Sequence, residues 1–354
     1  MSIYDQLRER LDMMAPFPKT ETGIEIDVLK KLFSEADARL FLEMTPMLQS
    51  PEDVSEKTGR DVSELKATLE DMAKRGLLFR HRKGDLLRYA AVPFIVGIFE
   101  HQVNRMDESF AKISKTYYET SLGKEIQAYK TPILRTIPIN QTLSPELPVA
   151  PYDDVIGIIE KSDKIAIAPC ICRRWSKLTG NNCQKPEEVC FTFGSHSQYY
   201  VDNGMARYIT KEEAFEILKK GEEAGLVMQP FNTKGKIGGM CSCCGDCCGV
   251  LRSVKMQPKP AEYVKSNYYA VVDEEECSGC ETCLDRCQID AITVTDSIAN
   301  IDLDRCIGCG LCITTCPTEA ISLHKKSNEH LYEPPSSGAE TYMKIAQERG
   351  KFVM

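Results

Sequence analysis

Eight of the seventeen cysteines repeat one spacing, C-x2-C-x2-C-x3-C, and no other feature limits the fold as tightly. Cys277, Cys280, Cys283 and Cys287 form the first copy; Cys306, Cys309, Cys312 and Cys316, followed by Pro317, form the second, 29 positions later. The repeat extends past the sulfurs, because Asp273, Gly279, Ala291 and Ile292 recur as Asp302, Gly308, Ala320 and Ile321 at the same offset. Glycines beside thiols let backbone N–H groups approach whatever the thiols hold, and Ala-Ile pairs close small and branched side chains around it.

In such a spacing three cysteines cap one iron–sulfide cubane and the fourth reaches a second. One [4Fe-4S] cluster is therefore expected on Cys277, Cys280, Cys283 and Cys316, and another on Cys306, Cys309, Cys312 and Cys287. Over 270–325 the pattern resembles the bacterial two-[4Fe-4S] ferredoxin family, which implies electron relay, since every iron already carries a thiolate. Gln288 departs from that family, in which proline usually follows the fourth cysteine. Zinc knuckles are the alternative for these eight thiols, and the three-plus-one duplication argues against them.

No cysteine precedes Cys170 or follows Cys316. Residues 1–10 are polar rather than a secretion signal, and no apolar run approaches the roughly 20 residues that span a bilayer. The expectation is a cytoplasmic, oxygen-sensitive protein of an anaerobe without membrane insertion, whose thiols bind metal rather than form disulfides.

Nine further thiols lie between: Cys170, Cys172, Cys183, Cys190, Cys241, Cys243, Cys244, Cys247 and Cys248. In an extended segment after a strand at 164–168, Cys170 and Cys172 would share one face and one metal. An economical division sets Cys170, Cys172, Cys183 and Cys190 against the run CSCCGDCCG, with ligands free to mix between the sets. One or two additional Fe–S clusters are expected, with zinc or redox-active thiols as alternatives. Adjacent cysteines such as Cys243 and Cys244 do not readily ligate one metal from a regular strand, so Gly245 and Gly249 should open irregular turns. A spare cysteine, or a residue such as His196, would leave an iron open to substrate; His196 reads more simply as a polar loop residue. Thr210 and Glu213 open a helix that Gly225 stops, with Ala214, Phe215, Ile217 and Leu218 on its apolar face.

The fold class expected is α+β in three parts: a winged-helix-like amino-terminal domain, an irregular cysteine-rich α/β middle domain and a bacterial ferredoxin-like carboxyl-terminal domain. An amino-terminal helix would occupy 1–23, the winged-helix-like domain and a long amphipathic helix 24–130, and a proline-marked connector 131–151. The metal-binding domain would follow over 152–269, the ferredoxin domain over 270–325, and a linker and helix over 326–354. Helices at 26–32, 35–44, 51–58 and 61–75 and a hairpin around Gly84 suggest the winged helix-turn-helix. Its second helix is not basic, however, and 24–92 carries 12 basic against 13 acidic residues, so protein docking is favoured over DNA. The span 270–325 holds 11 acidic and 3 basic residues, a net of −8 that equals the formal charge of the whole chain. That surface implies a redox partner with a basic docking face.

No phosphate-cradling glycine loop, dinucleotide fingerprint or nucleophile-plus-base pattern is present, so a flavin or nicotinamide would sit in another subunit. The function expected is an electron-transfer component of an oxidoreductase system. A redox-responsive winged-helix regulator and a reductase with an open-site cluster in the middle domain are the alternatives.

Overall fold

The computed structural model describes residues 1–126, 129–139, 149–151 and 153–351. Helix and sheet are mixed. The front is helical because serine and aspartate caps start most of its helices where the pattern turns apolar. Ser2, Ser34 and Ser50 accept from the backbone N–H of Asp5, Asp37 and Asp53, whose carboxylates reach back to each cap, opening helices Ile3–Met14, Glu35–Glu43 and Pro51–Thr58. Helix Ile24–Leu32 starts at Gly23, and Asp61 caps Val62–Lys74. Strands β1 (Leu78–Lys83) and β2 (Leu86–Ala91) form a hairpin over Gly84, at φ 59°. Their shared core includes Leu7, Leu11, Phe17, Phe41, Leu69, Met72 and Tyr89.

The single long helix expected after the hairpin is broken. Residues 95–97 leave helical geometry, a 3-10 turn covers Glu100–Gln102, and a fresh α-helix begins at Glu108–Tyr117. Asp107 causes the restart, since its carboxylate accepts from Phe110 N–H at 2.7 Å. Apolar spacing continued through the break because Phe94, Phe99, Val103 and Phe110 all feed the same core.

That core also buries His101, whose Nδ1 donates to the Gly76 carbonyl at 3.1 Å. Burial depresses its pKa from 6.5 to about 3, with nearby His196 adding to the effect and the Gly76 hydrogen bond opposing it. A base depressed on folding contributes stability that is present above its unfolded value and lost as pH falls through the window from 6.5 toward 3. About 2 kcal/mol should be gone at pH 5, at about 1.4 kcal/mol per unit. Urea unfolding at pH 7 and pH 5 checks this: His101→Gln should lose that much less on acidification, and an identical loss in both proteins would reject it.

The middle of the chain is a five-stranded antiparallel sheet built from β3 (Ile165–Pro169), β4 (Glu188–Phe193), β5 (Arg207–Tyr208), β6 (Val227–Pro230) and β7 (Gly239–Cys243). Its spatial order is β5-β3-β4-β7-β6. Thr210 caps helix Lys211–Glu223, and Gly225 follows at φ 71°.

The stretch expected as a connector is embedded along this sheet. Arg135 and Ile137 donate their N–H groups to Pro230 and Met228 on β6, and Ile139 donates to Cys309. Pro132, Pro138 and Pro151 belong to the described chain; Pro145 and Pro148 lie outside the described residues.

Strand β8 (Tyr268–Val272) pairs with β11 (Ile321–Lys325), and β9 (Ile292–Thr295) with β10 (Ile298–Ile301). Helix Gly338–Glu348 then returns to the front, where Ile345 enters the first core and Arg349 and Lys351 both reach Asp12.

Candidate iron–sulfur and metal sites

Each repeat copy contributes a loop of three cysteines, and the two antiparallel pairs bring every fourth cysteine across to the other loop. Cys277, Cys280, Cys283 and Cys316 line one cavity; Cys287, Cys306, Cys309 and Cys312 line another. Two glycines make the loops possible. Gly279 and Gly308 hold φ of 65° and 63°, and a Cβ on Gly308 would stand 2.1 Å from the Tyr268 carbonyl oxygen. Backbone N–H groups face the sulfurs, Ala291 toward Cys287 at 3.2 Å and Ala299 toward Cys277 at 3.5 Å. Thiol donors in fours, closed loops and N–H groups aimed at sulfur fit two [4Fe-4S] groups.

The two quartets differ in exposure. Cys280 is exposed, and its hydrogen bonds with Thr282 pull its thiol below the ordinary value. Burial raises the thiols of Cys287 and Cys312 and pushes Cys309 up to about 12. Asp273, Glu274, Glu275, Glu276, Glu281 and Asp285 are exposed on the loops of the open quartet. Arg286 and Arg305 turn inward instead, Arg286 to the carbonyls of Glu222 and Glu223 and Arg305 to those of Lys255 and Ile289.

Six of the nine middle thiols form a closed ring. Cys170 meets Cys172 and Cys190, Cys172 meets Cys248, Cys248 meets Cys243, Cys243 meets Cys241, and Cys241 returns to Cys190. Sheet order is the reason. Ala168 stands opposite Cys190, and Phe191 opposite Met240, so one end of three neighbouring strands delivers Cys170, Cys190 and Cys241 together. Cys172 does not lie in an extended segment; it sits in helix Ile171–Leu178, for which Cys170 is the cap. Hydrogen bonds alternate around the ring. Neighbouring donors hold Cys170, Cys248 and Cys241 toward thiolate, Cys241 at about 5, while Cys172, Cys190 and Cys243 are raised as the donors.

Arg173 supplies the cation. It is 3% exposed, and although burial works against its charge, the thiols of Cys170, Cys244, Cys243 and Cys190 outweigh that and keep it protonated. One Nη donates to the Ser242 carbonyl at 3.1 Å, whereas Nε and the other Nη have no acceptor among the described residues. Buried N–H groups of this kind call for an anion that the described residues do not provide, and cluster sulfide is one. Glu100 lies close by: burial first, then the thiols of Cys241 and Cys248, lift its carboxyl to about 8.

The other three thiols stand apart. Cys183, Cys244 and Cys247 gather with Asp246, and all four ligand atoms lie within 4.8 Å of one another. The ligands thus mix between the two sets of the economical division: Cys183 leaves Cys170, Cys172 and Cys190, which join Cys241, Cys243 and Cys248. Each cysteine doublet splits, with Cys243 and Cys248 in the ring and Cys244 and Cys247 outside it. His196 is no loop residue and meets no thiol among the described residues; on helix Ser195–Asp202 its ring packs on Phe79 at 4.9 Å.

Gln288 links these sites to the buried quartet. Its side-chain oxygen accepts from Gly245 N–H at 2.9 Å and from Lys185 at 3.0 Å. Its backbone oxygen stands where a Cβ on residue 245 would be 2.2 Å away. Proline at 288 would have no side-chain acceptor to offer. Cys241, Cys243 and Cys248 also share one apolar cluster with Cys287, Cys306 and Cys309, through Ile289, Ile307 and Leu311.

Residues 270–323 match the family model described as a 4Fe-4S dicluster domain. No curated protein and no solved structure matches the chain. Sequence reasoning passed over Asp246 and Arg173, although an aspartate inside CSCCGDCCG and an arginine next to Cys172 were visible signals.

Proposed function

We propose that the chain relays single electrons between redox partners, with [4Fe-4S] groups on the two ferredoxin quartets and a further iron–sulfur group in the six-thiol ring. Such groups supply reversible one-electron oxidation and reduction. The observation that carries the reading is the unequal setting of the quartets. Cys280 faces solvent within an acidic surface, while the other quartet exposes no cysteine: Cys312 is buried and Cys309 half-buried where the ferredoxin segment meets the middle of the chain. An exposed anionic end suits docking to a basic partner and a salt-sensitive encounter. The buried end suits hand-off within the chain. No described helix is long and apolar enough to cross a membrane, and a cytoplasmic setting accords with seventeen free thiols.

Iron analysis and EPR on anaerobically purified protein test this. The expected result is more than about 8 Fe per chain and reducible cubane signals; fewer than about 8 would end even the two-cluster version.

One observation favours a second reading, a reductase acting at the ring. Glu100 keeps its proton near neutral pH beside Cys241 and Cys248, as a proton donor to a bound substrate would. The winged-helix-like front is better read as a docking or structural module than as a DNA reader. Arg80 and Arg82 pair with Asp202, Lys66 with Glu52, and Arg75 with Asp37 and Asp71, which ties up cations that phosphates would need.

A further inference from the structure

We infer that Cys183, Cys244, Cys247 and Asp246 bind a single zinc ion in a tetrahedral three-sulfur, one-oxygen site, separate from every iron–sulfur group of the chain. Size decides between the two kinds of metal. At a Zn–S length of about 2.3 Å, the sulfurs of a tetrahedral site lie about 3.8 Å apart, and a sulfur and an oxygen slightly closer. Thiolates on a cubane bind different irons, so the iron cage separates them to roughly 6 Å. Here all four ligand atoms fall within 4.8 Å of one another. Among the described residues no other group of three or more such atoms is so compact, the two ferredoxin quartets and the six-thiol ring included.

The donor set agrees with the geometry. Cys244 and Cys247 are buried, Cys183 is half-buried and Asp246 is exposed, so the site opens at the surface on its oxygen side. Zinc takes thiolate and carboxylate together in such a shell. Three thiolates and a carboxylate leave excess negative charge around a dication, and Lys185 and Arg173 stand close enough to offset part of it. Asn181 adds a side-chain N–H toward Cys247 at 3.8 Å.

Position suggests the purpose. Cys183 belongs to the loop between helix Ile171–Leu178 and β4; the other three ligands follow β7, and Gly245 between them is the residue that meets Gln288. A zinc ion would staple these loops and fix the surface on which the buried quartet rests. Neither the site nor its staple role depends on the relay reading.

Elemental analysis and zinc X-ray absorption on the full-length, anaerobically purified protein provide the test. About one zinc per chain is expected, with three sulfurs at about 2.3 Å and one oxygen at about 2.0 Å. Cys183→Ser and Asp246→Ala should each lower zinc at least tenfold in occupancy under chelator challenge, with iron per chain unchanged. The absorption spectrum is read on the unmutated protein, so a variant that fails to fold does not protect the assignment. Zinc well below one per chain, or a shell of four sulfurs, would overturn it. Loss of about four irons in Cys183→Ser would give the site to a cubane instead.

Discussion

Arg173→Met should empty the six-thiol ring of metal while leaving both ferredoxin quartets filled. Iron per chain is expected to fall toward, but not below, about 8, and cubane EPR signals from residues 270–323 should persist. The physical ground is charge. Arg173 is the cation beside Cys170, Cys190 and Cys243 of the ring, Cys170 being held toward thiolate, and its buried Nε and one Nη lack acceptors among the described residues. Removing one partner of a buried, charge-compensated group typically costs about 3–5 kcal/mol. Iron content and spectra equal to those of the unmutated protein would show that Arg173 is not the counterion. Arg173→Lys should recover only part of the loss, because an ammonium cannot reproduce the planar fork of donors.

Arg135→Met is the second large effect, and it falls on stability. The guanidinium meets Asp153 at 2.6 Å, with side-chain exposures of 2% and 6%. Asn267 donates to the other Asp153 oxygen at 3.0 Å and accepts from Tyr332 N–H at 2.7 Å. This network joins the strand-like segment beside β6, the start of β8 and the return toward the last helix. Deleting the cation leaves a buried carboxylate, for an expected loss of about 3–5 kcal/mol in urea unfolding followed by circular dichroism. The pair Arg135→Met with Asp153→Asn should recover much of it, since no buried charge then stands alone. A single variant within about 1 kcal/mol of the unmutated protein would discard this account.

Both effects depend on contacts that no local pattern announces. The repeated cysteine spacing was legible in sequence because cubane ligation is written into short loops, and helix starts were legible because serine and aspartate caps are local as well. The ring was not. Cys170, Cys190 and Cys241 meet only because β4 lies between β3 and β7, and strand order is a long-range property. The splitting of the cysteine doublets follows from the same sheet: Cys243 ends β7 opposite Val227, while Cys244 begins the turn beyond it. The unbroken helix expected after the hairpin failed for the opposite reason. Its apolar spacing was real, but Asp107 is a cap, and a cap inside an apolar period marks a fresh helix that shares its core with the broken stretch before it.

Where Gly245 meets Gln288, the Gln288 side-chain oxygen accepts the Gly245 N–H, and the Gln288 carbonyl oxygen fills the space that a Cβ on residue 245 would take. Only glycine leaves room for both contacts, so the closeness of the two loops depends on the missing side chain at 245. Substitution at this one position would thus part the metal-binding loop from the ferredoxin segment without touching any cysteine.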